Sequence, residues 1–378
     1  MLRPPKFGRQ DRPGRPGARA LRRTRFCQLR RPLPCFGRTA VSGILVPVKK
    51  HIYIYSPSSA VRDKAGFKRG VQRLKALGYD VDIDEAALAK HQRFAGDDET
   101  RLAAIHRAAA SGADLALISR GGYGLTRILP AINYKAVAKA IGKGTKFVGL
   151  SDFTAFQLAM LAKTAAVTWA GPALIEDFGT EALPDDIMEA CFDDLITGQG
   201  EGAGWQLPKT AAVPISAAAS VSSSATVSIA GPAHGQEAQA VFGVKNAVLW
   251  GGNLTVLCAL IGTPYLPAVK GGILFIEDVG EHPYRVERML IQLLHAGVLA
   301  QQKAIVFGQF SNYKLVPGYD RGFNLAAVVA RLQAQVKARV LTGLPFGHVA
   351  TKVMLPVGAK ITLAVEGRDA FLLWGHQH

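Results

Sequence analysis

The turn Gly149-Leu150-Ser151-Asp152-Phe153-Thr154 joins an apolar stretch containing Phe147 and Val148 to an apolar helical run. Gly-x-Ser between a strand and a helix is the setting of a nucleophile elbow. The sharp turn lifts the serine Oγ above a sheet and brings the next backbone N–H into the same space. The usual second glycine is missing, because Phe153 stands in its place. The alternative is structural: Ser151 or Asp152 caps the helix. Arg120-Gly121-Gly122-Tyr123-Gly124 is a second turn of interest. Its N–H groups could face a phosphate or an oxyanion, or the glycines could serve only a tight turn. Arg127 occupies the place of the third glycine of a dinucleotide fingerprint, and a P-loop lysine is lacking.

Glu277-Asp278-Val279-Gly280-Glu281-His282 follows the apolar run Ile273–Ile276. Acids at the carboxyl end of a strand could hold a catalytic histidine, bind a metal or cap the next helix. No second histidine stands at ligand spacing, which disfavours a metal, and capping accounts for at least one of Asp278 and Glu281. His348, in the loop Phe346-Gly347-His348, has the most site-like surroundings of the nine histidines; a lone loop histidine can also be merely exposed. The order Ser151, Glu277, His348 is the Ser, acid, His order of α/β hydrolases.

The elements that must position these residues alternate between strand and helix. Strands are expected at 51–57, 79–83, 115–119, 147–150 and 167–170. Helices are expected at 60–77 and 100–110, from about Leu125, and from Phe153. This alternation predicts an α/β fold with a doubly wound parallel sheet, flavodoxin- or glutamine-amidotransferase-like, over residues 49–195. Sites in such sheets form at the carboxyl ends of the strands. Residues 196–245 break the pattern and read as a linker with an Ala/Ser-rich insertion at 211–233. A second α/β domain follows over 246–378, with strands at 247–250, 272–276, 304–309 and 340–342 and a closing pair at 360–365 and 370–374.

The formal charge is +17, but it is unevenly placed. Residues 1–50 carry fourteen Lys or Arg and one acid, Asp11, whereas the other 328 residues carry 31 basic and 27 acidic side chains. Residues 1–48 therefore read as a disordered basic tail, and the rest is nearly balanced. No specific nucleic-acid partner is expected. Arg22-Arg23 lacks the apolar stretch that a twin-arginine signal needs. An apolar share of 49% supports a buried core. Four scattered cysteines without metal spacing imply a reduced, metal-free, cytoplasmic protein. No apolar run is long enough for a transmembrane segment.

Taken together, the segments Arg93–Gly96, Arg120–Gly124, Gly149–Thr154, Gly171-Pro172, Trp250–Leu254, Ile261–Pro264, Glu277–Leu290, Gly347-His348 and Leu355–Gly358 closely resemble the LD-carboxypeptidase family of serine peptidases. The resemblance runs from about residue 51 to 365. It implies Ser151 as nucleophile, His348 as general base and then acid, and Glu277 as the group that orients His348. It implies the N–H groups of Gly122 and Asp152 as the oxyanion hole, and no cofactor or metal. The implied reaction releases terminal D-Ala from the meso-diaminopimelate of murein tetrapeptide during peptidoglycan recycling, in a cytoplasmic homodimer. A carboxylate-rich substrate implies a basic contact. Arg120, Tyr123 and Arg127 are candidate substrate-binding residues, and Arg285 could serve or could pair with Glu281 or Glu287.

Three other readings compete. A branch of the same family hydrolyses microcin C-type aminoacyl-nucleotide amides and shares the triad. A non-catalytic basic binding protein would use the tail. A glutamine-amidotransferase-like enzyme would carry Cys where Ser151 stands.

Overall fold

The computed structural model describes residues 49–209 and 241–375. The tail 1–48 and the stretch 211–233 lie outside the described residues. The first half alternates as expected: β1 (His51–Tyr55), α1 (Lys64–Ala76), β2 (Asp80–Ile83), α2 (Asp98–Ala110), β3 (Leu115–Ile118), α3 (Leu125–Ile128), α4 (Tyr134–Gly142), β4 (Lys146–Gly149), α5 (Phe153–Thr164), β5 (Thr168–Ala170) and α6 (Asp186–Thr197). Side-chain caps set several starts. Asp63 accepts from Gly66 N, Asp97 from Thr100 N, and Asp185 from Met188 N. The helix expected from Leu125 is split. Pro130 sits in a 3-10 turn over Leu129–Ala131, and Asn133 then caps α4.

The chain continues through β6 (Gly202–Gln206), β7 (Val241–Asn253), α7 (Leu254–Ala259), β8 (Ile273–Val279), α8 (Pro283–His295), β9 (Ala304–Ser311), α9 (Leu325–Gln335), β10 (Arg339–Leu341), β11 (Leu355–Val357), β12 (Lys360–Glu366) and β13 (Asp369–Leu373). Gly251-Gly252-Asn253 ends β7, and Asn253 caps α7 by accepting from Val256 N.

Two sheets result. The first has the order β2-β1-β3-β4-β5-β11. Its first five strands are parallel in the flavodoxin-like order, and β11 closes the edge antiparallel to β5. All four residues of β3 are buried, as expected where helices cover both faces of a parallel sheet. The second sheet is mixed, with the order β10-β9-β8-β7-β12-β13-β6. Its β10-β9-β8-β7 part is parallel and the rest antiparallel. Thus β6 lies within residues 196–245 yet belongs to the second sheet, while β11 comes from the C-terminal part and joins the first.

Helix α5 starts at the Ser151 turn and is buried at every residue from Phe153 to Met160. A helix apolar all round must be covered on all sides. Here α5 packs on β5 of its own sheet and on α7 and β7 of the other part.

Candidate active site

Ser151 follows β4 and has φ +64°, a left-handed conformation that a non-glycine residue adopts at a cost of roughly 1–2 kcal/mol. Phe153 N bonds Leu150 O at 3.2 Å and Thr154 N bonds Ser151 O at 2.9 Å, closing the turn. Glycines clear the space around it. A Cβ on Gly121 would stand 2.6 Å from Ser151 Cβ and 2.9 Å from its Oγ. A Cβ on Gly149 would stand 2.7 Å from Ile118 Cδ1. The turn after β3 can therefore press against Ser151 only because residue 121 is glycine.

Asp152 does not cap α5 with its side chain. Its Oδ2 accepts instead from Ser58 Oγ at 2.7 Å and from Leu125 N at 2.9 Å. The elbow is thereby stapled to the loop after β1 and to the start of α3. Burial pushes the Asp152 carboxyl up, against the pull of these donors. The Arg120–Gly124 turn is pinned too. Tyr123 N donates to Ser59 Oγ at 3.0 Å, and a Cβ on Gly122 would stand 2.3 Å from that oxygen. Among the described residues, the N–H groups of Gly122 and Asp152 make no hydrogen bond.

Glu277 is on β8 and wholly buried. Its Oε2 lies 2.8 Å from His348 Nδ1, and its Oε1 accepts from Asn253 Nδ2 at 3.2 Å. A Cβ on Gly347 would stand 3.2 Å from Glu277 Oε2, and one on Gly308 3.3 Å from Glu277 Cβ. Burial works against a charged imidazole, but the Glu277 hydrogen bond and charge outweigh it and raise His348 above its ordinary value. With Nδ1 donating to the carboxylate, Nε2 is left as the acceptor.

A chain of hydrogen bonds runs from the elbow helix to this pair. Asn253 N donates to Thr154 Oγ1 at 3.0 Å, and the Asn253 side chain reaches Glu277. Asp278, the neighbouring acid, caps α7 by accepting from Thr255 N and Oγ1, which is the structural alternative for that acid. A second connection passes through the π-helical turn Leu174–Phe178. Glu176 there lies 3.6 Å from Arg120 Nε, and Asp177 forms a buried ion pair with Lys352, four residues after His348. Burial raises both carboxyls, opposed chiefly by Arg120 and by Lys352 respectively.

Of the other candidates, Tyr123 is 44% exposed and has Arg93 over its ring at 5.6 Å. Arg120 donates to Ala60 O at 3.3 Å besides facing Glu176. Arg127 is tied to Asp98 at 3.1 Å and lies over Phe94. Arg285 pairs with Glu281, and Glu287 pairs with Arg331. Sequence reasoning missed Asn253, Thr154, Glu176, Asp177 and Lys352 as site-building residues. Lys352 gives no signal, since its partner is far away in sequence; Asn253 signals only a helix cap. Among the described residues, no group of three or more His, Cys, Asp or Glu is placed to hold a metal ion, and no helix is long and apolar enough to cross a membrane.

Models of the LD-carboxypeptidase N-terminal and C-terminal domains match residues 52–171 and 246–363. The chain is 36% identical to the muramoyltetrapeptide carboxypeptidase of Oxalobacter formigenes. That crystal structure aligns with a TM-score of 0.70, over 86% of this chain and 99% of its own. The chain is 28% identical over 301 residues to the probable murein peptide carboxypeptidase of Bacillus subtilis, covering 79% of this chain and 84% of that protein. It is 26% identical over 253 residues to the microcin C7 self-immunity protein of Escherichia coli, covering 66% and 70%. Both domain models match in order, and a relative above 30% identity aligns over nearly its full length, so the chain is an enzyme belonging to the LD-carboxypeptidase family, a serine-type carboxypeptidase.

Proposed function

We propose that this enzyme hydrolyses the amide between the L-centre of meso-diaminopimelate and the terminal D-Ala of murein tetrapeptide. Ser151 Oγ attacks the scissile carbonyl while His348 Nε2 takes its proton. Glu277 holds the imidazole by Nδ1 and stabilises its charged form. The oxygen that becomes negative in the tetrahedral intermediate accepts from the N–H groups of Gly122 and Asp152. The C–N bond then breaks, His348 returns the proton to the leaving amine, and free D-Ala departs. Water, activated by His348, cleaves the acyl-serine and restores Ser151.

The observation that carries this reading is the buried Glu277–His348 pair at 2.8 Å. It is linked through Asn253 and Thr154 to the helix that follows the Ser151 turn. A serine in a left-handed turn with two unbonded N–H groups beside it supports the same roles. The murein substrate follows the names of the relatives from Oxalobacter and Bacillus. We place Ser151 in a nucleophile domain, 49–195, and Glu277 and His348 in a C-terminal domain, 246–378, joined by 196–245. Arg120, Tyr123 and Arg127 are assigned to the substrate side of the site, in a cytoplasmic homodimer active in peptidoglycan recycling.

The test is D-Ala release from murein tetrapeptide by the wild type and by Ser151→Ala, Glu277→Ala and His348→Ala. Each variant is expected to stay folded and to lose roughly three to six orders of magnitude in kcat. Full activity in Ser151→Ala would overturn the nucleophile. A wild type that is inactive on tetrapeptide yet hydrolyses an aminoacyl-nucleotide amide would move the substrate to the immunity-protein branch.

A further inference from the structure

The glycine turn that packs on Ser151 borders an open cleft of about 670 Å³ whose rim includes Gly122 and Ser59. Its charged lining is Arg62, Lys90, Arg93 and Arg120, with no carboxylate. Among the described residues Arg62, Lys90 and Arg93 form no ion pair, and only Arg120 faces an acid, Glu176. Nearby acids are placed elsewhere. Asp97, Asp98 and Glu99 line an adjoining cleft with Arg127, the two clefts meeting at Gln92, and Asp98 is engaged by Arg101 and Arg127. Four cations lining one concavity, three of them without an ion-pair partner among the described residues, attract anions and raise their local concentration. The volume is several times that of one carboxylate group. Gly122 joins the cleft to the turn that packs on Ser151.

We infer that this cleft holds the carboxylate-bearing part of the peptide. It selects a substrate with at least two carboxylates beyond the scissile amide, seated on Arg62, Lys90, Arg93 and Arg120. This inference rests on the peptide-hydrolase reading above and deepens it by assigning substrate selectivity to named residues. Arg93 and Arg120 flank the Gly122 turn and meet the groups nearest the scissile bond; Arg62 and Lys90, both exposed, meet groups further out. Arg127 shares the carboxylate of Asp98 with Arg101, whereas Arg62, Lys90 and Arg93 form no ion pair among the described residues.

The experiment compares D-Ala release from murein tetrapeptide with release from the same peptide carrying amidated side carboxylates. The enzymes are the wild type, Arg93→Gln and the double variant Arg62→Gln/Lys90→Gln. A lost charge-assisted contact should raise KM for the anionic peptide about tenfold, with kcat changing far less. The amidated peptide should start at a higher KM and respond less than twofold. Added salt should raise the wild-type KM for the anionic peptide only. Titration of N-acetyl-diglutamate into each protein gives a readout independent of turnover: it should bind the wild type and bind the variants about tenfold more weakly. An active wild type whose variants keep the wild-type KM and the wild-type affinity for the dipeptide overturns the inference and leaves the reaction standing. A wild type that binds the dipeptide through these residues but releases no D-Ala overturns the reaction and leaves the cleft standing.

Discussion

Ser151 and His348 both follow strands, but in different sheets, and different forces hold them. The Ser151 elbow is shaped by sterics. Its φ of +64° sits between a buried helix start and a glycine turn packed so close that a Cβ on Gly121 would stand 2.6 Å from Ser151 Cβ. Local strain of this kind persists only where the surroundings over-determine it. The His348 loop is shaped by polar pairing. Glu277 holds the ring, Ser311 Oγ donates to the His348 carbonyl at 3.1 Å, Thr351 Oγ1 donates to Asp185 at 2.7 Å, and Lys352 pairs with Asp177. The comparison teaches that each half of the site fails in its own way. The elbow should be most sensitive to added volume, and the histidine loop to lost charge.

Breaking a buried charge pair should give the largest effect. Lys352 and Asp177 are both about 2% exposed. Lys352→Met would leave an uncompensated carboxylate in the interior, at a cost of about 3–5 kcal/mol. Urea unfolding should show a much lower midpoint at unchanged slope. Adding Asp177→Asn should recover much of the loss, because the orphaned charge is then gone. A loss below about 1 kcal/mol would mean that the pair is not what holds the loop.

Next comes the titration of His348, whose pKa is raised because Glu277 outweighs burial. The proposed general base must be neutral to act, so the acid limb of kcat/KM should lie above the ordinary 6.5. Glu277→Gln removes the charge and should move that limb to lower pH as well as reducing the rate. The same shift fixes the sign for stability. A histidine with a raised folded pKa contributes stability that is whole below 6.5 and is lost as pH rises through the folded value. Stability in the wild type should therefore fall across that window by more than in Glu277→Gln. An acid limb at or below the ordinary value in the wild type would remove Glu277 as the controlling charge.

What could be read from the sequence follows the same division. The parallel strands showed as continuous apolar runs such as Leu115–Ile118, and the elbow showed as Gly-x-Ser between strand and helix, because local sequence dictates both. Strand β11 leaves little sequence signal: it has three residues with Pro356 in the middle, which is tolerable only at a sheet edge. Strand β6, GAGWQ, buries only Trp205 and offers no alternation. Helix α6 was legible after the fact, with Asp185 as cap, Met188, Phe192, Leu195 and Ile196 buried at helical spacing, and Gly198 as stop. The triad candidates stood out through residue type and order. The residues that connect them did not. Asn253 bonds Thr154 across 99 positions and Lys352 pairs with Asp177 across 175, and nothing periodic records such distances.

The smallest expected effect sharpens the steric side. Ser151→Ala and Ser151→Gly both remove the proposed nucleophile, so both should be inactive, but their stabilities should differ. Alanine keeps the penalty of a Cβ at φ +64°, roughly 1–2 kcal/mol. Glycine removes it, at the expense of roughly 0.5–1 kcal/mol of extra freedom in the unfolded chain. The balance favours Ser151→Gly over Ser151→Ala by about 0.5–1 kcal/mol, measurable as a higher urea midpoint. Equal midpoints would mean that the elbow relaxes once the hydroxyl is gone. The strain would then be imposed by the serine side chain rather than by the glycine turn packed against it.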